Sequence, residues 1–149
     1  MKELSTAIFE KCASSTDLYV DIGGRFYKGR ASQGAEYPYV VYLIVSDFPD
    51  KTFSEAYEET LLQFSLFSSA FGSTEIENMY THLKALYDEC ELTITGYTLA
   101  WMRRENAVLM IEDHTTKSGT VQVRHYAVDY AVTTMINAAF PYEFPFALA

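Results

Sequence analysis

Tyr39-Val40-Val41-Tyr42-Leu43-Ile44-Val45, set off by Pro38, is an unbroken run of β-branched, aromatic and aliphatic residues. Such side chains suit a pleated, packed surface, and proline is tolerated at the entrance to a strand where no ladder donor is needed. The run predicts a central strand. After the turn-rich Ser46-Asp47-Phe48-Pro49-Asp50-Lys51, residues 59–67 set Leu62, Phe64 and Leu66 in alternation with Leu61, Gln63 and Ser65. Period two is the mark of a strand with one face buried.

On either side of this pair the period changes. In residues 2–13, Leu4, Ala7, Ile8 and Cys12 fall on one helical stripe. Ser14-Ser15-Thr16-Asp17 ends it, and Gly23-Gly24 interrupts the chain before Arg25-Phe26-Tyr27-Lys28, a short strand reached through irregular structure. Residues 29–37 read as a polar, flexible loop. Residues 74–91 form the clearest helix, with Ile76, Met79, Tyr80, Leu83, Leu86 and Tyr87 in register and Thr74 and Glu77 spaced as a capping box. Leu92-Thr93-Ile94 reads as a connector. Residues 97–103 and 107–111 read as extended with a break near Glu105-Asn106, either one bent strand or a hairpin. Residues 120–133 read as a long strand in which Val121 and Val123 are odd whereas Tyr126, Val128, Tyr130 and Val132 are even. That change of parity predicts a bulge or twist near Arg124-His125.

These elements predict an α+β fold, an antiparallel β-sheet with two main helices packed on it. Residues 1–136 form a single domain, followed by an extended arm at 137–149. The arm holds Phe140, Tyr142, Phe144 and Phe146 between Pro141 and Pro145. Leaving such side chains in water is unfavourable by roughly 1.5–3 kcal/mol each relative to burial. The arm is therefore expected to dock on a neighbouring subunit, or else to pack back on its own domain or fray.

A chain of 149 residues buries roughly 70% of its unfolded surface, enough for one core without a metal or disulfide. Cys12 and Cys90 have no CxxC partner and read as reduced, buried thiols in a chain that folds in a cytosol. Twenty acidic against eleven basic residues give a net charge of −9, which repels nucleic acid and anionic membranes. No run is long enough to span a bilayer. Aromatic content is 15%, and 23 rings (12 Tyr, 10 Phe, 1 Trp) are many for a small interior, so apolar subunit faces are expected.

Catalytic signatures are missing: neither a nucleophile elbow, a phosphate-binding P-loop nor a dinucleotide fingerprint occurs. Glu112-Asp113-His114 reads as a solvated turn. Pairing the flanking strands about Lys117 sets His125 several residues along the strand from His114, so the two are not expected to share a metal. His82 reads as a structural residue at a helix margin. Arg25, Lys28 and Arg30, with Arg103 and Arg104, are the basic concentrations, fitted either to phosphate or to salt bridges across an acidic interface. Asp47, Asp50, Glu55, Glu58 and Glu59 gather acid around one loop and strand, either a solvated face or the wall of a negative channel.

The order of helix, short strand, polar loop, Tyr37-Pro38-Tyr39-Val40-Val41-Tyr42, Leu62-Gln63-Phe64-Ser65-Leu66-Phe67-Ser68, helix 74–91 and the strand at 121–133 resembles the tail-completion proteins of long-tailed bacteriophages, also called tail terminators or head-to-tail joining proteins. The resemblance covers most of residues 1–134. It implies an α+β subunit of the virion, assembled in the host cytoplasm as a hexameric ring that stops tail-tube growth. Its implied partners are further copies of itself, the tail tube protein and the head connector, with DNA passing through unbound. It implies no catalytic residue, cofactor, metal or membrane. A head-closure protein of the same virion and a ligand-binding or enzymatic α+β domain using Tyr and His from the sheet are the competing readings.

Overall fold

The alternation at the centre of the chain becomes the centre of the sheet. A computed structural model describes residues 1–51, 56–116 and 118–137. Its strands are β1 (Phe26–Lys28), β2 (Tyr39–Lys51), β3 (Ala56–Ser68), β4 (Tyr97–Thr116) and β5 (Gly119–Ile136), laterally ordered β1-β2-β3-β5-β4. Its helices are α1 (Lys2–Ala13), α2 (Asp17–Asp21) and α3 (Thr74–Tyr87). The fold is α+β as expected. The sheet is mixed rather than antiparallel throughout, because β1 runs parallel to β2. A parallel pair needs a crossover instead of a tight turn, and the loop at 29–38 supplies it.

Leu62, Phe64 and Leu66 of β3 lie fully buried beneath the helices, beside Val128, Tyr130 and Val132 of β5 and Val40 and Tyr42 of β2. α1 buries the predicted stripe of Leu4, Ala7, Ile8 and Cys12, and α3 buries Ile76, Met79, Leu83 and Tyr87. Phe64 is the hub. Its ring stacks on Tyr87 with centroids 4.8 Å apart, meets Tyr130 edge-on at 5.6 Å, and lies 6.4 Å from both Tyr42 and Phe26. A buried phenol must satisfy its hydroxyl. Tyr87 donates to the Ile8 carbonyl at 2.7 Å and Tyr42 to the Ser5 carbonyl at 3.3 Å, so two core rings also tie the sheet to α1. Among the described residues five aromatic rings, those of Phe26, Tyr42, Phe64, Tyr87 and Tyr130, are thus interior.

Several local expectations are corrected. α2 carries no apolar period; its start is set by the Thr16 hydroxyl, which accepts from the Tyr19 amide, and Gly23 and Gly24 at φ 57° and 78° follow it. The capping box does not form. Ser73, not Thr74, is the residue before α3 and makes no side-chain cap, which places Glu77 one position too deep to reach back. Glu75 instead accepts from the Ser68 hydroxyl at 2.6 Å. Around Arg124-His125 β5 pairs in unbroken register with both β3 and β4, so no bulge lies there. The parity changes because the covered face changes: Val123, on the side away from the helices, is fully buried at the end of the sheet where the 29–38 loop comes down on β4. The irregularities fall instead at Val45 in β2 and at Ala100 and Glu105 in β4. β4 is accordingly one long strand, kinked where the sequence shows its break.

Phe64→Ala removes a ring that touches four others, and large-to-small changes at such sites cost about 3–5 kcal/mol. Urea unfolding monitored by circular dichroism is expected to show that loss; a cost below about 1 kcal/mol would contradict the central role of this ring.

Candidate functional site

The helices cover one side of the sheet and leave most of the other side open. On that open side Phe48 of β2, Glu59 of β3, Thr133 of β5 and Trp101 of β4 form one cross-strand row. Phe48 is 62% and Trp101 39% exposed, and the row borders a shallow groove of about 360 Å³ with Leu61 and Ala131 in its floor. Arg103 lies over the Trp101 ring at 4.9 Å and pairs with Glu89 at 3.4 Å. Along the same side Val108 is 45% exposed. Apolar side chains gathered on one sheet face, rimmed by charge, are the composition of a contact surface.

The acidic set divides between the two sides. Asp50 and Glu59 stand on the open side, whereas Asp47 and Glu58 stand on the side of the helices. Asp47 accepts from the Thr60 hydroxyl at 3.3 Å and lies 3.7 Å from the amino group of Met1. Glu58 has one carboxylate oxygen buried without a hydrogen-bond partner. Desolvation, then the nearby Asp47, holds its carboxyl above the ordinary range. Glu55 lies outside the described residues.

The most connected polar cluster sits at the opposite end of the open side, and sequence spacing concealed it. Glu112 accepts from His114 Nε2 at 3.0 Å through one oxygen and pairs with His125 Nδ1 at 3.1 Å through the other. The two histidines therefore share a carboxylate, although their spacing had set them too far apart to share a ligand. The strands close between Thr116 and Gly119, which sets His114 opposite Val121 and His125 opposite Met110. The offset is thus four residues, roughly 13 Å along the strand, and both side chains lean to the carboxylate between them. The Tyr37 hydroxyl lies 2.7 Å from His114 Nδ1. Burial, ahead of neighbouring groups, raises the Tyr37 phenol above its ordinary value and raises Tyr39 to about 12, so both stay protonated near neutrality. Tyr37 donating to Nδ1 leaves Nε2–H of His114 to donate to Glu112. Phe67 stacks on His125 at 4.3 Å and lies 4.9 Å from Tyr39, which is 5.2 Å from Tyr37. This clasp fastens the crossover loop to the β4–β5 hairpin. Glu112 and His114 are half-buried strand residues, not a solvated turn. The available signal was their i, i+2 spacing, which puts both on one face of a strand.

Arg25 is engaged within its own chain, donating to the carbonyls of Pro38 at 3.0 Å and Tyr37 at 3.4 Å. Lys28 and Arg30 are exposed beside it. Arg104 is held by Asp88 at 3.1 Å and by the Tyr80 hydroxyl at 3.0 Å. His82 is half-buried at the edge of α3 and bonds Asp21 through Nδ1, in keeping with a structural residue. Both cysteines are free; burial pushes the Cys12 thiol up to about 12, far from a nucleophile's range. Phe140, Tyr142, Phe144 and Phe146 lie outside the described residues. Among the described residues no group of three His, Cys, Asp or Glu side chains is placed to hold a metal, and no helix is long and apolar enough to cross a membrane.

The side of the sheet left open by the helices thus exposes Phe48, Trp101 and Val108 among charged residues, while the polar clusters bond within the chain. The chain belongs to the tail completion protein gp17 family, whose pattern it matches over residues 6–142. It is a structural component of a phage-type tail. A chain from the virion of a native gene transfer agent particle shares the fold, with a TM-score of 0.68 at 11% identity over 89% of this chain and 94% of that one. No curated protein matches the sequence.

Glu112→Gln tests the clasp. The two histidines hold the Glu112 carboxyl below its ordinary value of 4.5, so its ionised form stabilises the fold above that pH, and the benefit fades as pH falls through the lowered folded-state value. The stability gap between the native chain and Glu112→Gln should be fully present above pH 4.5 and narrow as the pH falls below it through the lowered folded-state value. A gap that stays constant down to pH 3 would contradict it.

Proposed function

We propose that this protein closes the phage tail as a ring of six copies, ending growth of the tail tube and joining the tail to the head connector. The observation that carries the reading is the open sheet face with Phe48, Trp101 and Val108 exposed, in a chain whose family completes tails. A ring built by head-to-tail contact needs two different complementary patches on each subunit. The open face is one of them, and the exposed Lys28 and Arg30 beside β1 present charge of the sign that answers a −9 surface. The aromatic arm, with Phe140, Tyr142, Phe144 and Phe146, is a further contact between copies or with tube and connector proteins. Assembly takes place in the host cytoplasm and the product stays in the virion. The work is done by fit, with no cofactor and no reacting group.

In this reading Asp50, near the end of β2 and outside the row of Phe48 and Trp101, faces the bore, where like charge keeps passing DNA from adhering, whereas Glu59 belongs to the contact row. Asp47 and Glu58 face the helices and contribute to the subunit's own packing.

Light scattering across a concentration series should show the full chain moving from monomer toward a hexamer, and particles lacking the protein should accumulate as separate heads and overlong tubes. A monomer at every concentration, with normal joined particles in its absence, would overturn the proposal. Asp50→Lys should leave the ring intact and slow DNA passage, an effect that weakens as salt is raised. Unchanged passage through an intact ring removes Asp50 from the bore.

A further inference from the structure

The free edge of the sheet is divided into two unlike halves. β4 is the outermost strand on its side among the described residues. Its first half is bulged at Ala100 and Glu105 and carries Arg103 and Arg104, devices that discourage another strand from adding. Its second half, residues 106–116, pairs with β5 in unbroken register and leaves Val108, Leu109 and Ile111 exposed at 45%, 41% and 61%. A long, regular edge with an apolar stretch at residues 107–111 is a template for strand addition.

The end of the sequence holds a segment that fits such an edge. In Phe140-Pro141-Tyr142-Glu143-Phe144-Pro145-Phe146 every aromatic is even-numbered and both prolines are odd-numbered. In an extended chain, residues of one parity send their side chains to one face and their N–H and C=O groups to one edge. The even residues therefore offer four intact amides along one edge and four rings on one face. The missing proline donors fall together on the opposite edge, the position proline tolerates in an outermost strand. A strand of this kind adds once and blocks the next addition.

Geometry places the receiving edge in another copy. The Asn137 amide donates to the Gly96 carbonyl at 3.1 Å, so β5 ends beside the start of β4. To reach the outer edge of its own β4 the chain must cross two strand spacings, about 9.6 Å, and reverse direction within Ala138 and Ala139. It would then arrive at the bulged half, roughly 30 Å short of residue 106. We propose that residues 140–146 of one copy add as an extra strand to the 106–116 edge of β4 in an adjacent copy. The proposal rests on the self-assembly argued above and specifies the bond that makes it directional.

The parity of the arm provides the test, in the full chain throughout. Tyr142→Pro puts a ring on the bonding edge and deletes a donor, Glu143→Pro changes the outer edge alone, and Tyr142→Ala removes the aromatic while keeping the amide. Hydrogen exchange read at residues 106–116, with light scattering, should show those amides slowed in the assembled native protein. Tyr142→Pro should lose that protection and weaken association by about tenfold or more, Glu143→Pro should keep both, and Tyr142→Ala should fall between them. Equal behaviour of the two proline variants overturns the proposal while leaving the ring intact as a reading. So does protection of β4 that none of the three variants alters, because another strand then occupies the edge. Failure of the native chain to associate at all overturns the ring and the arm contact together.

Discussion

Everything in this fold depends on the register of β3 being held, and Phe64 holds it. The strand lies between two long neighbours, so slipping by one residue would turn Phe64, Leu62 and Leu66 to the open side and bring Gln63 and Ser65 under the helices. Five aromatic rings and two tyrosine hydroxyls bonded to α1 stand against that slip. On the other side Gln63 donates to Asp129 at 2.9 Å, a polar contact correct in only one register. With β3 fixed, the positions of Phe48 and Trp101 on the open face follow from pairing alone.

What could be read beforehand was what repeats. α1 emerges with its predicted bounds because Leu4, Ala7, Ile8 and Cys12 repeat at the pitch of a helix and are buried on one stripe. β3 and the buried stripe of α3 were legible for the same reason; β2 was legible through Val45 from its strand-forming side chains, whereas residues 46–51, read as a turn, continue the strand by pairing with β3. α2 was not, since a helix this short rests on a hydroxyl cap and carries no period. The parity change in β5 was seen and assigned to the wrong cause: a strand whose covered side changes along its length produces the same pattern as a bulge. The histidine clasp was hidden by the register of a hairpin. A different closing position for β4 and β5 moves His125 along β4, so its distance from His114 cannot be read from spacing. Arg25 looked available for a partner because a sequence does not display the backbone carbonyls of Tyr37 and Pro38 that it meets.

The polar clusters share one character. Glu112 with two histidines and a tyrosine, Asp88 with Arg104 and Tyr130, and Asp21 with His82 each join segments distant in sequence. Each is at least partly open to solvent, where such contacts add modestly to stability and chiefly select one arrangement. They fix the crossover loop, the start of β4 and the first short helix against the same sheet. The subunit therefore keeps its apolar open face on a firm support, and a rigid face loses little conformational freedom when it is covered.

The shifts at Val45 and Glu105 flank the same Leu62–Tyr130 row, one on each side of the unbulged β3–β5 pair. A ribbon whose margins are longer than its midline cannot lie flat; it relieves the surplus by winding about its long axis. The half bearing Phe48 and Trp101 is thereby turned relative to the half bearing the histidine clasp. Bodies gripping the two ends would approach along different headings, and the turn between those headings is written into the chain by the extra residues at Val45, Ala100 and Glu105.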